Sequence, residues 1–304
     1  MNDLIKYETC FSWVKYPDIS SELCKRLKED IKSFNPVIPI QMTSSKVFFN
    51  VDNVNDKPNI ELKLSFNRHT FGDEPIANYG NLLDETIVRR LKDILFTINI
   101  AYPGCVEANR NILYRDGQPT CTFSFSSYFS GMTHEKCKWI TYEKLTLTQC
   151  WDWIVQKTNF LSYISRNSID RALNALSYES DTNEDQYVFY ALLGIEAIYN
   201  NGGDKDDSIS SQLRKKIQAV IGELPSTAIK EIKKMYKMRS ALVHGNANFF
   251  KCWPSEDFTD DEYDEVMKDH GYMITATGIL IATIQRFIKN NATTLVEETN
   301  YSLR

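Results

Sequence analysis

The sequence predicts an α+β domain over residues 1–145, followed by an all-helical domain over residues 146–304. Three observations lead to this class. The chain has 304 residues, which is long for a single hydrophobic core and favours two domains. Short segments rich in β-branched and aromatic residues are confined to the first half. Long segments in which apolar residues recur at helical spacing fill the second half.

The N-terminal half contains five predicted strands and one predicted helix. Each strand is short, rich in β-branched or aromatic residues, and bounded by Asn, Asp, Gly or Pro. The helix is predicted over 82–100, where residues such as Leu83 and Ile87 recur at helical spacing. His69 and His134 have no catalytic partner at a fixed spacing, which favours surface or hydrogen-bonded histidines without a catalytic function. The predicted strands cover 38–43, 46–51, 60–66, 111–115 and 120–126.

The C-terminal half has helical periodicity almost throughout, and strand-like alternation disappears after Tyr142. Pro225 lies where the first turn of one helix begins, and Gly245 follows the end of the same helix. A glycine at that position commonly adopts the left-handed conformation that ends a helix. The predicted helices cover 146–164, 168–177, 184–199, 208–221, 226–243 and 260–290.

Composition indicates an ordinary globular protein, because 42% of residues are hydrophobic and 25% are charged. No run of about 18 apolar residues occurs, so we expect no membrane-spanning helix. The N-terminal segment carries acidic residues early and lacks the basic flank and apolar stretch of a secretory signal. We therefore expect a cytoplasmic protein that does not bind a membrane.

The seven cysteines are scattered along the chain. None forms a CxxC motif or a Cys/His cluster with zinc-ligand spacing. In a reducing compartment such cysteines behave as small buried hydrophobic residues. The sequence therefore predicts no disulfide, no metal ion and no cofactor.

Positive charge is concentrated in one segment of an acidic chain. The net charge is −5, yet residues 211–239 contain eight basic and two acidic residues. Within the predicted helix 226–243, four lysines share one face, which suits the phosphate backbone of RNA. A solvated helix face is the alternative interpretation. These lysines are Lys230, Lys233, Lys234 and Lys237.

Arg239 interrupts the apolar face of that same helix, between Met235 and Leu242. Its guanidinium must meet carboxylate, phosphate or carbonyl groups there, because burying an unpaired cation is very costly. A structural salt bridge is one interpretation, and a phosphate site is another. Tyr236 also lies on this face and is predicted to lie in the core rather than to stack on a base.

The segment around Arg239 reads YKMRSALVHG from Tyr236 to Gly245. It resembles the signature of the HEPN family, in which an arginine and a short polar residue precede a histidine at the end of a helix. With the basic helix before it and the long helix after it, this segment looks like the Apea-like HEPN branch. The upstream segment YALLGIEAIY, residues 190–199, resembles the apolar helix of that branch, with Glu196 as its single glutamate. The resemblance covers about residues 146–290.

The resemblance implies a HEPN helical bundle that cleaves RNA by 2′-hydroxyl attack without a metal ion. His244 is the side chain near the motif that titrates around neutrality, so it is assigned the role of acid or base. The helix macrodipole favours its protonated form and hence the acid. Arg239 would hold the scissile phosphate, Ser240 would position a phosphate oxygen or orient the other two residues, and Glu196 would pair with Arg239 or His244.

The resemblance also implies a homodimer through the HEPN domain. Arg239 and His244 point about 140° apart on one helix, and members of the family pair two domains so that both motifs line one cleft. Many members act in bacterial antiviral defence or as toxins, so an antitoxin or a phage-derived trigger is an expected partner. Two other functions are consistent with the residues. One is a non-cleaving HEPN module that binds nucleotides or RNA beside a nucleotidyltransferase or another effector, and the other is a dimerisation module.

Overall fold

The computed structural model describes residues 2–14, 19–38, 43–51, 58–67, 80–162, 164–181, 187–199, 209–245 and 259–296. Within these ranges the N-terminal region forms an antiparallel sheet with three helices, and the region after it is helical. The predicted order of an α+β region before a helical region is therefore confirmed. His69 lies outside the described residues.

The chain divides into two compact units. The first consists of Met1–Lys138, Lys144–Asp152 and Ser177–Asn183. The second consists of Trp139–Glu143, Trp153–Leu176 and Glu184–Arg304. Each unit is therefore assembled from several separate stretches of the chain.

The sheet of the first unit is antiparallel at every pairing in the described residues. Strand β1 lies between β4 and β5, β3 pairs with β4, and β5 also pairs with β2 and β6. In β1, Tyr7 lies opposite Leu62 of β4 and Arg115 of β5. The strands are β1 (Asn2–Cys10), β2 (Ser12–Trp13), β3 (Thr43–Val51), β4 (Pro58–Asn67), β5 (Val106–Arg115) and β6 (Gln118–Phe125).

Three helices belong to this region, and the long helix α2 supplies much of its core. Every residue of α2 from Asp93 to Ala101 is buried. Helix α1 begins after Ser20, whose side chain accepts a hydrogen bond from the Leu23 amide at 3.1 Å, as an N-cap residue does. The three helices are α1 (Ser21–Asp30), α2 (Gly80–Ala101) and α3 (Tyr128–Lys136).

The N-terminal predictions are confirmed in part. The helix at 82–100 and the strands at 46–51, 60–66, 111–115 and 120–126 correspond to α2, β3, β4, β5 and β6. The strand at 38–43 is wrong at its start, because Ile38 is a buried residue of a loop. Thr43 already belongs to β3. Residues 39–42 lie outside the described residues. The two strands β1 and β2 and the helices α1 and α3 were not predicted.

Helices of the C-terminal region match their predicted ranges closely. The helix at 226–243 has the predicted bounds. The helix predicted at 146–164 is shorter, because it ends at Lys157 and is followed by a short 3-10 helix, Phe160–Ser162. Gly245 has φ 69°, which confirms the predicted left-handed residue after that helix. The helices are α4 (Leu147–Lys157), α5 (Ser168–Asp181), α6 (Tyr187–Tyr199), α7 (Ile209–Ile221), α8 (Ser226–Val243) and α9 (Asp260–Lys289).

Helix α9 is the central helix of the second unit, and it packs against α6, α7 and α8. Its residues are buried without interruption from Met273 to Gln285. The stretch His270–Lys289 is long and apolar enough to cross a membrane by length and composition alone, with a mean hydropathy of 1.2. Because 83% of this stretch is buried inside the protein, packing within the unit accounts for its apolar composition.

Candidate functional site

Arg239, near the C-terminal end of α8, is paired with Glu196 of α6. Arg239 Nη2 donates a hydrogen bond to Glu196 Oε2 at 2.6 Å. The Arg239 side chain is 24% exposed and the Glu196 side chain 13% exposed, so the pair is largely withdrawn from water. The structure therefore provides the carboxylate partner that an arginine on the apolar side of α8 requires.

The pair leaves one donor and one acceptor unused. Arg239 Nε and Glu196 Oε1 are both buried and have no hydrogen-bond partner among the described residues. Nε and Nη2 are the two donors that face a carboxylate when a guanidinium binds it side-on. The observed contact therefore uses Nη2 and leaves Nε without a bond to the carboxylate.

His244 lies at the other side of the same helix end. Its side chain is exposed, and its backbone amide donates to the Ser240 carbonyl at 3.1 Å, which continues the helical pattern by one residue. Ser240 is half-buried. Among the contacts of the described residues, no side-chain contact joins His244 or Ser240 to Arg239 or Glu196. The structure thus brings together two of the four predicted catalytic residues within one chain.

The predicted basic face of α8 is exposed to solvent. All four of its lysines have exposed side chains, whereas Ala228, Ile232 and Met235 on the opposite side of the helix are buried. Tyr236, which we expected in the core, is half-buried. The arrangement gives α8 a cationic outer face, which His244 shares, and an inner face that contains Arg239. The four lysines are Lys230, Lys233, Lys234 and Lys237.

Contacts that the sequence analysis missed fix α6 against α9. Tyr199 and Thr283 form a buried hydrogen bond between their hydroxyl oxygens at 2.6 Å. Burial raises the pKa of Tyr199 well above its ordinary value, so the phenol stays neutral. On α8, Glu231 accepts a hydrogen bond from the Thr275 hydroxyl of α9 at 3.2 Å. In the sequence, these two contacts are indicated only by Thr283 and Thr275, which are polar residues within the otherwise apolar helix α9.

The remaining described histidines lie elsewhere. His134 Nε2 lies 3.0 Å from the Pro103 carbonyl, which agrees with a hydrogen-bonded histidine. His270 is half-buried in α9, and burial lowers its pKa. No group of three or more His, Cys, Asp or Glu side chains that could hold a metal ion occurs within the described ranges.

The arrangement at the end of α8 can perform two chemical tasks. The Arg239 guanidinium is one-quarter exposed, and its contact with Glu196 uses one of five N–H donors, so an exposed donor can bind a phosphate oxygen. An exposed imidazole is a group that can donate a proton to a substrate or accept one from it. Comparisons of the chain with protein-family models, with curated proteins and with solved structures give no match.

Proposed function

We propose that the helical C-terminal region is a HEPN endoribonuclease that cleaves RNA without a metal ion. The observation that carries the proposal is the end of α8, where Arg239, supported by Glu196, lies five residues before an exposed His244. The exposed lysines of the same helix support it, because RNA is a polyanion.

The proposed reaction is transfer within the RNA strand. The 2′-hydroxyl loses its proton to a general base, and its oxygen forms a bond to the adjacent phosphorus. The bond from phosphorus to the 5′-oxygen breaks, and that oxygen takes a proton from a general acid. His244 acts as the acid, Arg239 stabilises the charge on the phosphorane, and Ser240 positions a phosphate oxygen. The products are a 2′,3′-cyclic phosphate and a 5′-hydroxyl.

A homodimer completes this proposal. Five helical residues separate Arg239 and His244 by about 140° around the axis. In one chain Arg239 meets Glu196, while His244 is exposed on the lysine side. A two-fold axis near this helix end would place His244 of one copy beside Arg239 of the other.

The proposal also includes a cellular role. The resemblance to HEPN toxins supports a cytoplasmic nuclease of bacterial antiviral defence, restrained by an antitoxin or released by a phage-derived trigger. This role is an analogy with the family and is independent of the geometry described above.

The test compares wild-type protein with His244→Ala on total RNA in EDTA. We expect cleavage in EDTA, reduced about 10²- to 10⁴-fold by the substitution, because general acid catalysis is lost. His134→Gln is the control, since that ring contacts a backbone carbonyl of the first unit. Equal cleavage by wild type and His244→Ala would reject the assignment of His244. Induced expression that leaves growth unchanged would reject the toxin role.

A second candidate function is a non-cleaving HEPN module that binds RNA or nucleotides beside a nucleotidyltransferase or another effector. The salt bridge favours it, because Glu196 already meets Arg239 within one chain, as in a purely structural pair. The same experiment separates the two candidates. RNA that is bound and left intact by wild-type protein would support the non-cleaving module.

A further inference from the structure

Gly194 of α6 packs against Leu280 of the central helix α9. A Cβ atom built on Gly194 would lie 2.6 Å from Leu280 Cδ2, 3.3 Å from Leu280 Cδ1 and 3.3 Å from Ala175 Cβ. Leu280 is 0% exposed and both of its methyl groups face Gly194, so it has little room to turn aside. The absent side chain therefore allows α6 to pack directly against α9.

Gly194 and Glu196 lie on opposite sides of α6. Two residues of an α-helix correspond to about 200° of rotation, so the two positions are about 160° apart around the axis. One side of α6 therefore rests on Leu280, while the other presents the carboxylate that accepts from Arg239 Nη2 at 2.6 Å. Because α6 contacts α9 and also carries Glu196, a shift of α6 on α9 would move Glu196 relative to Arg239 of α8.

Tyr199 fixes the same helix at a second point. The Thr283 hydroxyl donates to the Ile279 carbonyl at 2.7 Å. Its single proton is thereby used, so the 2.6 Å contact between the two hydroxyls is a bond that Tyr199 donates to Thr283. Gly194 lies before Glu196 and Tyr199 after it in α6, and each contacts α9.

We infer that Gly194 and Tyr199 are positioning residues, which fix α6 on α9 so that the Glu196 carboxylate holds the Arg239 guanidinium in the orientation that binds the scissile phosphate. The effect on cleavage rests on the proposed function, whereas the effect on the Glu196–Arg239 contact does not. A methyl group at Gly194 would require Leu280 and α6 to separate by about 1 Å, the difference between 2.6 Å and ordinary carbon–carbon contact. A displacement of that size at a reacting centre can reduce the rate about 100-fold.

The first measurement is cleavage by Gly194→Ala, with and without Leu280→Ala in the same chain. We expect Gly194→Ala to lower kcat about 10- to 100-fold with little change in KM, because the lysine face is untouched. Leu280→Ala removes the methyl groups that would clash and should restore most of that loss. Gly271→Ala is the matched control, since nothing lies within 4 Å of a Cβ at that helical glycine. Tyr199→Phe should lower kcat a few-fold, and it leaves the bond from Thr283 to Ile279 intact.

The second measurement does not need cleavage. Glu196→Gln and Arg239→Gln, alone and together, should change Tm non-additively when their side chains are in contact. We expect this coupling to vanish with Gly194→Ala and to return when Leu280→Ala is added. The inference would be overturned if folded Gly194→Ala and Tyr199→Phe proteins kept the wild-type kcat and the wild-type coupling between Glu196 and Arg239. Coupling that vanishes and returns in a protein that does not cleave RNA would uphold the inference and reject the proposed function.

Discussion

Arg239 and Glu196 share one hydrogen bond where side-on geometry allows two. Nη2 and Oε2 are 2.6 Å apart, while Nε and Oε1 are buried without a partner among the residues that the structure describes. An unused buried donor or acceptor typically costs about 1–3 kcal/mol. Because Nε lies inside the protein, a phosphate oxygen would bind the exposed part of the guanidinium instead. The guanidinium is thus held in place but remains able to take a ligand.

Replacing Glu196 tests the residue that supports the arginine. Glu196→Gln should lower the free energy of unfolding by about 1–3 kcal/mol, because a largely buried guanidinium would lose its counter-charge. It should also slow RNA cleavage, because Arg239 would be less well oriented. Urea denaturation measures the first effect, and an RNA cleavage assay in EDTA measures the second.

Glu231→Gln is the matched control for that substitution. Its carboxylate also contacts a neighbouring helix, but its described partner is the Thr275 hydroxyl rather than a cation. We expect Glu231→Gln to lower the free energy of unfolding by less than Glu196→Gln does. Its RNA cleavage should fall no further than this mild destabilisation explains. If the two variants behave alike in both assays, Glu196 has no special role at Arg239.

Helix α8 presents two chemically different faces, and this division is a property of the whole element. Residues at i, i+3, i+4 and i+7 lie on one side of an α-helix, which places its four lysines together. All four are exposed, whereas Ile232 and Met235 are buried on the inner side. A compact row of rotatable ammonium groups binds phosphates without reading bases. The four lysines are Lys230, Lys233, Lys234 and Lys237.

Changing all four lysines to glutamine tests this face as a binding surface. A plot of log affinity against log salt has a negative slope, and each phosphate contact adds about 0.7–0.9 to its magnitude. Loss of the four lysines should therefore reduce that magnitude by about 3. Binding is measured in EDTA on the His244→Ala background, which keeps the RNA intact under the proposed mechanism. The control replaces four exposed lysines outside α8 in the same way, and we expect its slope to stay close to that of the parent. Equal slopes for both sets would show that the α8 face does not bind the RNA backbone. The control residues are Lys25, Lys32, Lys144 and Lys157.

At the scale of the whole molecule, the angle between Arg239 and His244 around α8 determines how many copies of the chain an active site needs. One helix directs them about 140° apart. Within one chain, the described contacts join Arg239 to Glu196 and leave His244 exposed. A site that contains both groups therefore needs a second copy of the chain under the proposed function.

Mixed dimers test this requirement. Arg239→Ala and His244→Ala chains, each inactive alone, are co-expressed with different tags and purified through both. We expect cleavage to reappear in the mixed species, because one cleft then contains an intact arginine from one chain and an intact histidine from the other. A mixed dimer as inactive as its two parents would place the reaction within a single chain. A protein that remains monomeric by light scattering and still cleaves RNA would exclude the two-copy site.

The sequence determined most of the helical region and four of the six described strands, and it missed β1 and β2. Apolar spacing located α5 to α9 within a few residues, because apolar residues recur at helical spacing along each of them. Strand β1 was missed although its buried residues Ile5, Tyr7 and Thr9 alternate with Lys6 and Glu8, which is the pattern of a half-buried strand. A strand is stabilised by its neighbours in the sheet, and those neighbours are distant in the sequence.

The sequence by itself determined which residues of α8 face inward and outward, since that follows from 3.6 residues per turn. Only the tertiary structure decided that Glu196 meets Arg239, because this contact joins helices whose separation depends on side-chain packing. The same packing decided that Leu280 lies where a methyl group on residue 194 would be. Local periodicity fixes the direction of a side chain, whereas its partner is fixed by how closely two helices approach.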